Sequence, residues 1–199
     1  MKQEIGSLFV VSGPSGVGKT TMVTEFLKKH KELLLIDRVV TYTTKHPRAR
    51  EIDGFDYHFI NQDEFESKIE DEFFLEWSGE YGACYGTPAY IIDKLSYGYS
   101  YILIIDRSGA QEILKVYPQS ILILLEIESL ADLSERLYKR NAESDEQIER
   151  RLVLAKKEIE QEVVSPLYHY KIINNNFENA LKAFSELVLS KCAGKQSKK

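Results

Sequence analysis

LFVVSGPSGVGKTT, residues 8–21, joins a short apolar run to a glycine-rich loop. Residues 8–11 are apolar and partly β-branched, which predicts a buried parallel strand. The loop that follows, GPSGVGKT at 13–20, is a complete G-x-x-x-x-G-K-[ST] pattern, and helical apolar spacing continues at 22–27. A glycine-rich turn without a ligand is the alternative interpretation, but a strand before the pattern and a helix after it favour a loop that binds a nucleoside triphosphate.

The residue types in this loop match the chemistry of phosphate binding. Glycines let the backbone turn tightly, so that its amides surround an anion at the positive end of a helix. Lys19 adds a full charge for the β- and γ-phosphates, and Thr20 offers its hydroxyl to Mg²⁺. The predicted binding residues for the triphosphate are Gly13, Pro14, Ser15, Gly16, Val17, Gly18, Lys19, Thr20 and Thr21.

Length and charge limit the classes of function. The 199 residues suit one sizeable domain, and a net charge of −5 argues against a general binder of nucleic acid or membrane surfaces. The longest apolar runs have the length of a strand, so we expect no membrane span. Cys84 and Cys192 lack metal-ligand spacing, and the first seven residues contain no apolar run typical of a signal peptide. We therefore expect a cytoplasmic protein without nucleic-acid or membrane partners.

The remaining pattern predicts an α/β fold of the P-loop type. After the loop and its helix, a mixed region spans about 37–95; the order is then strand, helix, strand, two helices, strand and helix. Alternating strands and helices imply a parallel sheet with helices on both faces. Within the mixed region, turn chemistry at Asp53–Gly54 predicts a hairpin over 51–60, and Pro88 is expected in the first turn of a helix. A later helix carries a predicted core stripe: Ile148, Leu152, Ala155, Ile159 and Val163.

Three further features suggest a second ligand. The basic stretch KHPRAR at 45–50 is either a solvated loop or a second anion site. Glu76 stands alone in the apolar run 73–77, so it is either exposed at an edge or directed at a ligand. Asp106 ends the apolar run YILIID, and ligands of open α/β sheets lie beyond the carboxyl ends of strands, so Asp106 should face the phosphate loop.

With these residues in view, the chain resembles the guanylate kinases along nearly its whole length. The matching segments are SGPSGVGKTT (12–21), TYTTKHPRAREIDGFDYHF (41–59), FLEW (74–77), YGT (85–87), IDRSGA (105–110) and ERL…R…RRL (135–152). The phosphate loop is shared by many families, whereas the PRxxE-x-x-G-x-D-Y run followed by EW and YG[ST] is far more specific.

The resemblance implies phosphoryl transfer from MgATP to GMP, and to dGMP, in a monomer or homodimer. It implies a core (1–36, 96–128 and 165–199), an inserted mixed α/β GMP-binding lobe (about 37–95) and a helical lid (about 129–164). The implied GMP-binding residues are Thr41, Lys45, Arg48, Tyr57, Glu76, Tyr85, Thr87 and Asp106. The implied catalytic residues are Lys19, Asp106 and the lid arginines Arg136, Arg140 and Arg151.

Guanine chemistry agrees with this implication, because a carboxylate can accept from both N1–H and the 2-amino group, and adenine offers no such donor pair on that edge. The chain departs from the family at Lys45, usually arginine, at Ile104, often aspartate, at Arg50, usually glycine, and at residues 141–142, usually Gly-Thr. Two alternatives therefore stand beside the guanylate kinase interpretation. One is a related small kinase with another phosphorylated acceptor, and the other is a non-catalytic module that binds protein partners; the intact Lys19 and Thr20 disfavour the module.

Overall fold

The structure is a computed structural model that describes residues 5–49, 51–80, 82–139 and 145–193. Within these residues the strands are β1 (Leu8–Ser12), β2 (Ile36–Arg38), β3 (Tyr42–Thr43), β4 (His58–Phe59), β5 (Phe74–Glu80), β6 (Ala83–Pro88), β7 (Ser100–Ile104), β8 (Ile121–Glu126) and β9 (Tyr170–Ile173). The helices are α1 (Lys19–Leu34), α2 (Gln62–Glu70), α3 (Ile91–Ser96), α4 (Arg107–Val116), α5 (Leu130–Lys139), α6 (Asp145–Val164) and α7 (Phe177–Ala193).

The central sheet is parallel, as the alternation of strands and helices predicts. Its strand order is β2-β7-β1-β8-β9, with β1 paired to β7 on one side and to β8 on the other. All five β1 residues are buried, which explains why the four residues before Ser12 are apolar without alternation. The carboxyl ends of β1 and β7 lie together at the edge where the phosphate loop and Asp106 begin.

Helices cover both faces of this sheet. On one face, α1 packs beside α7, where the rings of Phe26 and Phe184 meet edge to face at 5.5 Å. On the other face, Ile91 of α3 and Ile113 of α4 join Val10 and Leu103 in a second buried cluster. These two layers hold the loops at the carboxyl edge of the sheet in fixed positions.

A second, four-stranded sheet lies in the inserted region. Its order is β4-β3-β6-β5, and aromatic side chains fill one side of it, with Phe65 of α2 stacked on Phe74 at 4.6 Å. Asn61 caps α2 by accepting a hydrogen bond from the Glu64 amide at 2.8 Å. The β5 and β6 strands are antiparallel, which brings Glu76 opposite Thr87.

A buried ion pair attaches the end of α6 to the start of α4. The guanidinium of Arg107 contacts the Glu162 carboxylate at 2.5 Å and also donates to the Ser165 carbonyl oxygen. Lys171 of β9 lies 3.2 Å from the other Glu162 oxygen. The carboxyl end of α6 is therefore fixed to the central sheet.

Three local predictions were wrong. Residues 51–60 form no hairpin, because β4 pairs parallel to β3 and the segment before β4 is a turn in which Gly54 donates to the Tyr57 carbonyl oxygen. Pro88 ends β6 instead of starting a helix, and α3 begins only at Ile91. Val163 is 76% exposed, because α6 has by then reached its last turn and leaves the core.

Among the described residues, no helix combines the length and the apolar character that crossing a membrane requires.

Candidate active site

The phosphate loop runs from the end of β1 to the start of α1. Gly13 has φ 138°, and a β-carbon there would lie 2.1 Å from the Leu125 carbonyl oxygen of β8. A side chain is therefore excluded by both backbone conformation and space. The loop is closed beneath by α5, whose Leu133 and Leu137 contact the Gly16 position. The backbone amides at the start of α1 thus lie at a fixed, positively polarised helix end.

Lys19 and Thr20 lie in the first turn of α1. The Lys19 ammonium donates to the Gly13 carbonyl oxygen at 2.5 Å and to the Pro14 carbonyl oxygen at 3.2 Å, so its side chain lies back across the loop. Thr20 and Thr21 are exposed at this helix end. A hydroxyl in this position can coordinate a cation that is also bound by phosphate oxygens.

Of the two predicted lid arginines that the structure describes, one contacts the phosphate loop and the other contacts the segment after β9. The Arg151 guanidinium of α6 donates to the Ser15 hydroxyl at 3.1 Å. Arg136 of α5 donates to the Asn174 carbonyl oxygen at 2.6 Å, beyond the end of β9. Arg140 lies outside the described residues, as do Arg50 and residues 141–142. Arg136 and Arg151 therefore approach the same edge of the sheet from two different helices.

The second basic group surrounds a carboxylate. The Lys45 ammonium contacts both oxygens of Glu51, at 2.6 and 2.7 Å, and lies over the Tyr57 ring at 4.8 Å. The Arg48 amide donates to the same carboxylate at 2.8 Å. Burial lowers the pKa of Lys45, the Glu51 contact opposes this, and the charges of Arg48 and Arg151 lower it further. The charge of Arg151 therefore acts on this group as well as on the phosphate loop.

Tyr57 and Tyr85 form a wall beside Lys45. Their ring centroids are 6.0 Å apart. The pKa of Tyr57 is raised to about 12, mainly by burial. Burial also raises the pKa of Tyr85. Both hydroxyls therefore stay protonated at neutral pH and can donate hydrogen bonds to an anion. Thr41, the other predicted residue here, is buried immediately before β3.

Glu76 is a buried carboxylate with one neutral partner. It is 7% exposed, and its Oε1 accepts a hydrogen bond from the fully buried Thr87 hydroxyl at 2.5 Å. Burial raises the pKa of Glu76 to about 7, the Thr87 bond opposes this, and the charge of Asp106 adds to the rise. A carboxylate placed in this way is ready to accept from a ligand's paired N–H donors.

The Asp106 carboxylate accepts two hydrogen bonds from the start of α4 and one from a strand of the inserted sheet. It caps α4, where Oδ1 accepts from the Gly109 amide and from the Ser108 hydroxyl, each at 2.8 Å. Its Oδ2 accepts from Ser78 of β5 at 3.3 Å. Asp106 therefore lies between the central sheet and the strand that carries Glu76.

Several contacts at this site were not predicted from the sequence. Glu51, Ser78, Arg107 and Asn174 each contact a predicted site residue or bury a charge near one. Glu51 had a local signal, since it directly follows the basic stretch 45–50 and can form an ion pair within the same loop. The other three contacts join residues far apart in the chain, and no local pattern predicts them.

The chain is similar to known guanylate kinases in both sequence and structure. The model of the guanylate kinase family matches residues 6–191. A guanylate kinase of Chromobacterium violaceum is 38% identical over 181 residues, covering 90% of this chain and 83% of the relative. A guanylate kinase of Desulfitobacterium hafniense is 36% identical over 198 residues, covering 98% and 96%. The crystal structure of guanylate kinase from Anaplasma phagocytophilum superposes with a TM-score of 0.77 at 24% identity, covering 96% of this chain and 88% of that one, which shows a shared fold.

Proposed function

The chain belongs to the guanylate kinase family, and we propose that it transfers the γ-phosphoryl group of ATP to GMP, with release of ADP and GDP. The observation that carries the proposal is the buried Glu76 carboxylate with its Thr87 partner. It lies in the inserted sheet beside Asp106, at the edge of the central sheet where the phosphate loop begins. A group that can recognise a base and a loop that can bind phosphates at the same edge of the sheet suit phosphoryl transfer between two nucleotides.

We assign guanine recognition to Glu76 and Thr87. Guanine presents N1–H and a 2-amino group side by side, and both can donate to one ionised carboxylate. Adenine would leave that carboxylate buried without a donor pair, at a cost of one to several powers of ten in kcat/KM. The same recognition extends to dGMP, because it involves the base and not the sugar.

We assign the acceptor phosphate to Thr41, Lys45, Arg48, Tyr57 and Tyr85. Glu51 neutralises Lys45 and accepts from the Arg48 amide. A phosphate entering beside the two tyrosine hydroxyls would find hydrogen-bond donors and positive charge together. Asp106 would lie on the path between this phosphate and the ATP.

We assign the ATP phosphates to residues 13–21 and the developing charge to Lys19, Arg136, Arg140 and Arg151. Phosphoryl transfer requires mainly positioning and neutralisation of charge, so arginines directed at one point contribute most of the rate. Arg151 contacts Ser15, and its charge also acts on Lys45, so it suits the bridge between donor and acceptor.

The exposed Thr20 hydroxyl would hold Mg²⁺ together with the ATP phosphates, and the ion would supply neutralisation of phosphate charge. Among the described residues, no three His, Cys, Asp or Glu side chains converge as metal ligands. A magnesium ion bound through phosphates needs only one or two protein ligands, so the side chains present are compatible with it.

We propose that the chain works as a core (1–36, 96–128 and 165–199), a GMP-binding lobe (about 37–95) and a lid (about 129–164). Closure of the lid would exclude water, which competes with GMP as acceptor. We further propose a cytoplasmic protein, monomeric or homodimeric, with ATP and GMP as its substrates and neither nucleic acid nor membrane as partner.

An acceptor panel tests the activity. Purified protein, MgATP and a coupled assay for ADP release are combined with GMP, dGMP, AMP, UMP, CMP or phosphorylated sugars. We expect turnover with GMP and dGMP, and Lys19→Ala serves as the control for contaminating kinases. Turnover with a different acceptor would identify a related small kinase, and ATP binding without any turnover would favour a non-catalytic module.

A further inference from the structure

Asn174 follows β9 and is the first of three consecutive asparagines. It is 3% exposed, and its backbone is fixed on both sides. Its amide donates to the Glu126 carbonyl oxygen at 2.8 Å, and its carbonyl oxygen accepts from Arg136 at 2.6 Å. The side chain therefore projects from a backbone that two hydrogen bonds hold in place.

That side chain holds one peptide of the phosphate loop. The Nδ2 of Asn174 donates to the Val17 carbonyl oxygen at 2.7 Å, in a buried hydrogen bond between residues at opposite ends of the chain. Gly18 follows with φ 102°, and a β-carbon there would lie 2.9 Å from the same Nδ2. The loop and Asn174 are thus in close contact, and only glycine fits between them.

The bond to Val17 determines where the next amide points. No cis peptide occurs among the described residues, so the Val17 carbonyl and the Gly18 N–H belong to one trans peptide and point in opposite directions. A carbonyl held toward Asn174 therefore turns the Gly18 N–H away from Asn174, to the other side of the loop. Loop amides of this kind bind the phosphates of ATP.

We propose that Asn174 is a positioning residue that orients the Gly18 amide toward the phosphates of ATP. This inference rests on the proposed function for the identity of the nucleotide. Without Asn174 the 17–18 peptide can rotate, and one phosphate-binding amide no longer points at the anion. The defect should be confined to ATP, because among the described residues the Asn174 side chain hydrogen-bonds to the phosphate loop and to none of the residues assigned to GMP.

The three asparagines provide their own controls, because in the hydrogen bonds between described residues only the first uses its side chain as a donor. Asn175 Oδ1 accepts from the Glu128 amide at 3.1 Å, and Asn176 Oδ1 accepts from the Asn179 amide at 3.0 Å. Aspartate can replace an acceptor without loss. At residue 174, aspartate would place a carboxylate oxygen against the Val17 carbonyl oxygen. The Oδ1 of Asn174 is already buried without a hydrogen-bond partner among the described residues.

The test compares Asn174→Asp, Asn174→Ala, Asn175→Asp and Asn176→Asp. Calorimetry with a non-hydrolysable ATP analogue gives Kd, steady-state kinetics give KM for ATP and GMP separately, and thermal melting monitors the fold. We expect Kd for the analogue to rise about tenfold or more in both residue-174 variants, since a buried group loses its partner. KM for GMP should stay within about twofold of the unsubstituted protein, as should every constant of the two control variants.

The proposal is overturned if both residue-174 variants bind the analogue normally, or if the control variants lose as much affinity. It is also overturned if KM for ATP and GMP rise together, because that pattern indicates a general structural defect. If Asn174→Asp does not fold, Asn174→Ala decides. Binding of the analogue is measured without an acceptor, so failure of GMP turnover in the unsubstituted protein would affect only the proposed function.

Discussion

The hydroxyl of Thr87 donates a 2.5 Å hydrogen bond to the carboxylate of Glu76 across the β5–β6 pair. Both side chains are buried, and this bond uses one of the two lone pairs of Oε1. The bond orients the carboxylate, so that Oε2, which lies near Gly109, is presented on the side of α4. An oriented acceptor selects among bases more sharply than a rotating one.

Glu76→Gln should damage GMP use while leaving ATP binding intact. The amide replaces one acceptor oxygen with a donor, which opposes the N–H groups of guanine. We expect kcat/KM for GMP to fall about 10²-fold or more, with Kd for an ATP analogue unchanged. Glu70→Gln, an exposed change on α2 in the same lobe, is the matched control. An unchanged kcat/KM for GMP would remove Glu76 from the guanine site.

GMP affinity should depend on pH, because burial raises the pKa of Glu76 to about 7. Guanine donors need the ionised carboxylate, so below this pKa binding must first expel a proton. KM for GMP should therefore rise as pH falls below about 7, by up to about tenfold per pH unit, and level off above it.

The phosphate of GMP also titrates, with a second pKa of about 6. A pH profile of Glu76→Gln separates the two ionisations, since the variant lacks the carboxylate but keeps the substrate. We expect the part of the slope near pH 7 to disappear in the variant. Identical profiles for both proteins would assign the slope to GMP alone.

Lys19→Ala should lower kcat about 10²-fold or more, because in the proposed function the ammonium neutralises charge on the transferring phosphate. Lys28→Ala, which removes an exposed lysine of the same helix, is the control. Turnover close to normal in the Lys19 variant would contradict the assignment of the ATP site.

Lys45→Arg should improve acceptor binding. A single ammonium now contacts both oxygens of Glu51, and it would have to serve the phosphate as well. A guanidinium has five donors in a planar fork and can contact two anions at once. We expect KM for GMP to fall about threefold with KM for ATP unchanged, whereas Lys68→Arg in the same lobe changes neither. A higher KM for GMP in the Lys45 variant would show that this pocket has no room for the fork.

Arg107→Met should destabilise the fold. The substitution leaves the buried Glu162 with Lys171 as its only cation among the described residues, and we expect the free energy of unfolding to fall by about 3 kcal/mol. The double variant Arg107→Met and Glu162→Leu should recover part of this loss, since it leaves no buried carboxylate without its arginine partner. Chemical denaturation measures both, and equal losses in the single and double variants would show that the unpaired Glu162 carboxylate does not cause the loss.

The parts of the fold that sequence predicts well are those with local causes. Apolar runs predict the central strands, and Asn61 and Ser129 lie at the helix starts that their hydroxyl or amide side chains favour. The hairpin prediction at Asp53–Gly54 failed because a turn signal does not determine which strand pairs with the segment after it. β3 takes β4 as a parallel partner and β6 as an antiparallel one.

The candidate site divides in the same way. Lys19, Glu76 and Asp106 are each marked by a charge in an unusual local setting, namely a glycine loop, an apolar run and the end of a buried strand. Asn174, Arg107 and Ser78 have ordinary local settings, and their contacts arise only when distant segments meet. The contacts that hold the candidate site together therefore depend on the tertiary structure. The pKa of Glu76 does so as well, because it depends on burial and on Asp106.

The position of β1 between β7 and β8 has a consequence for synthesis of the chain. Leu8 pairs with Tyr101, and Phe9 pairs with Ile121, so among the described residues this strand has no sheet partner until β7 has left the ribosome. The inserted sheet can close much earlier, since β5 and β6 pair across a short connection. During translation the apolar β1 and the phosphate loop would stay unpaired while the inserted sheet, which follows them in the sequence, folds. The nucleotide site therefore forms after the inserted sheet.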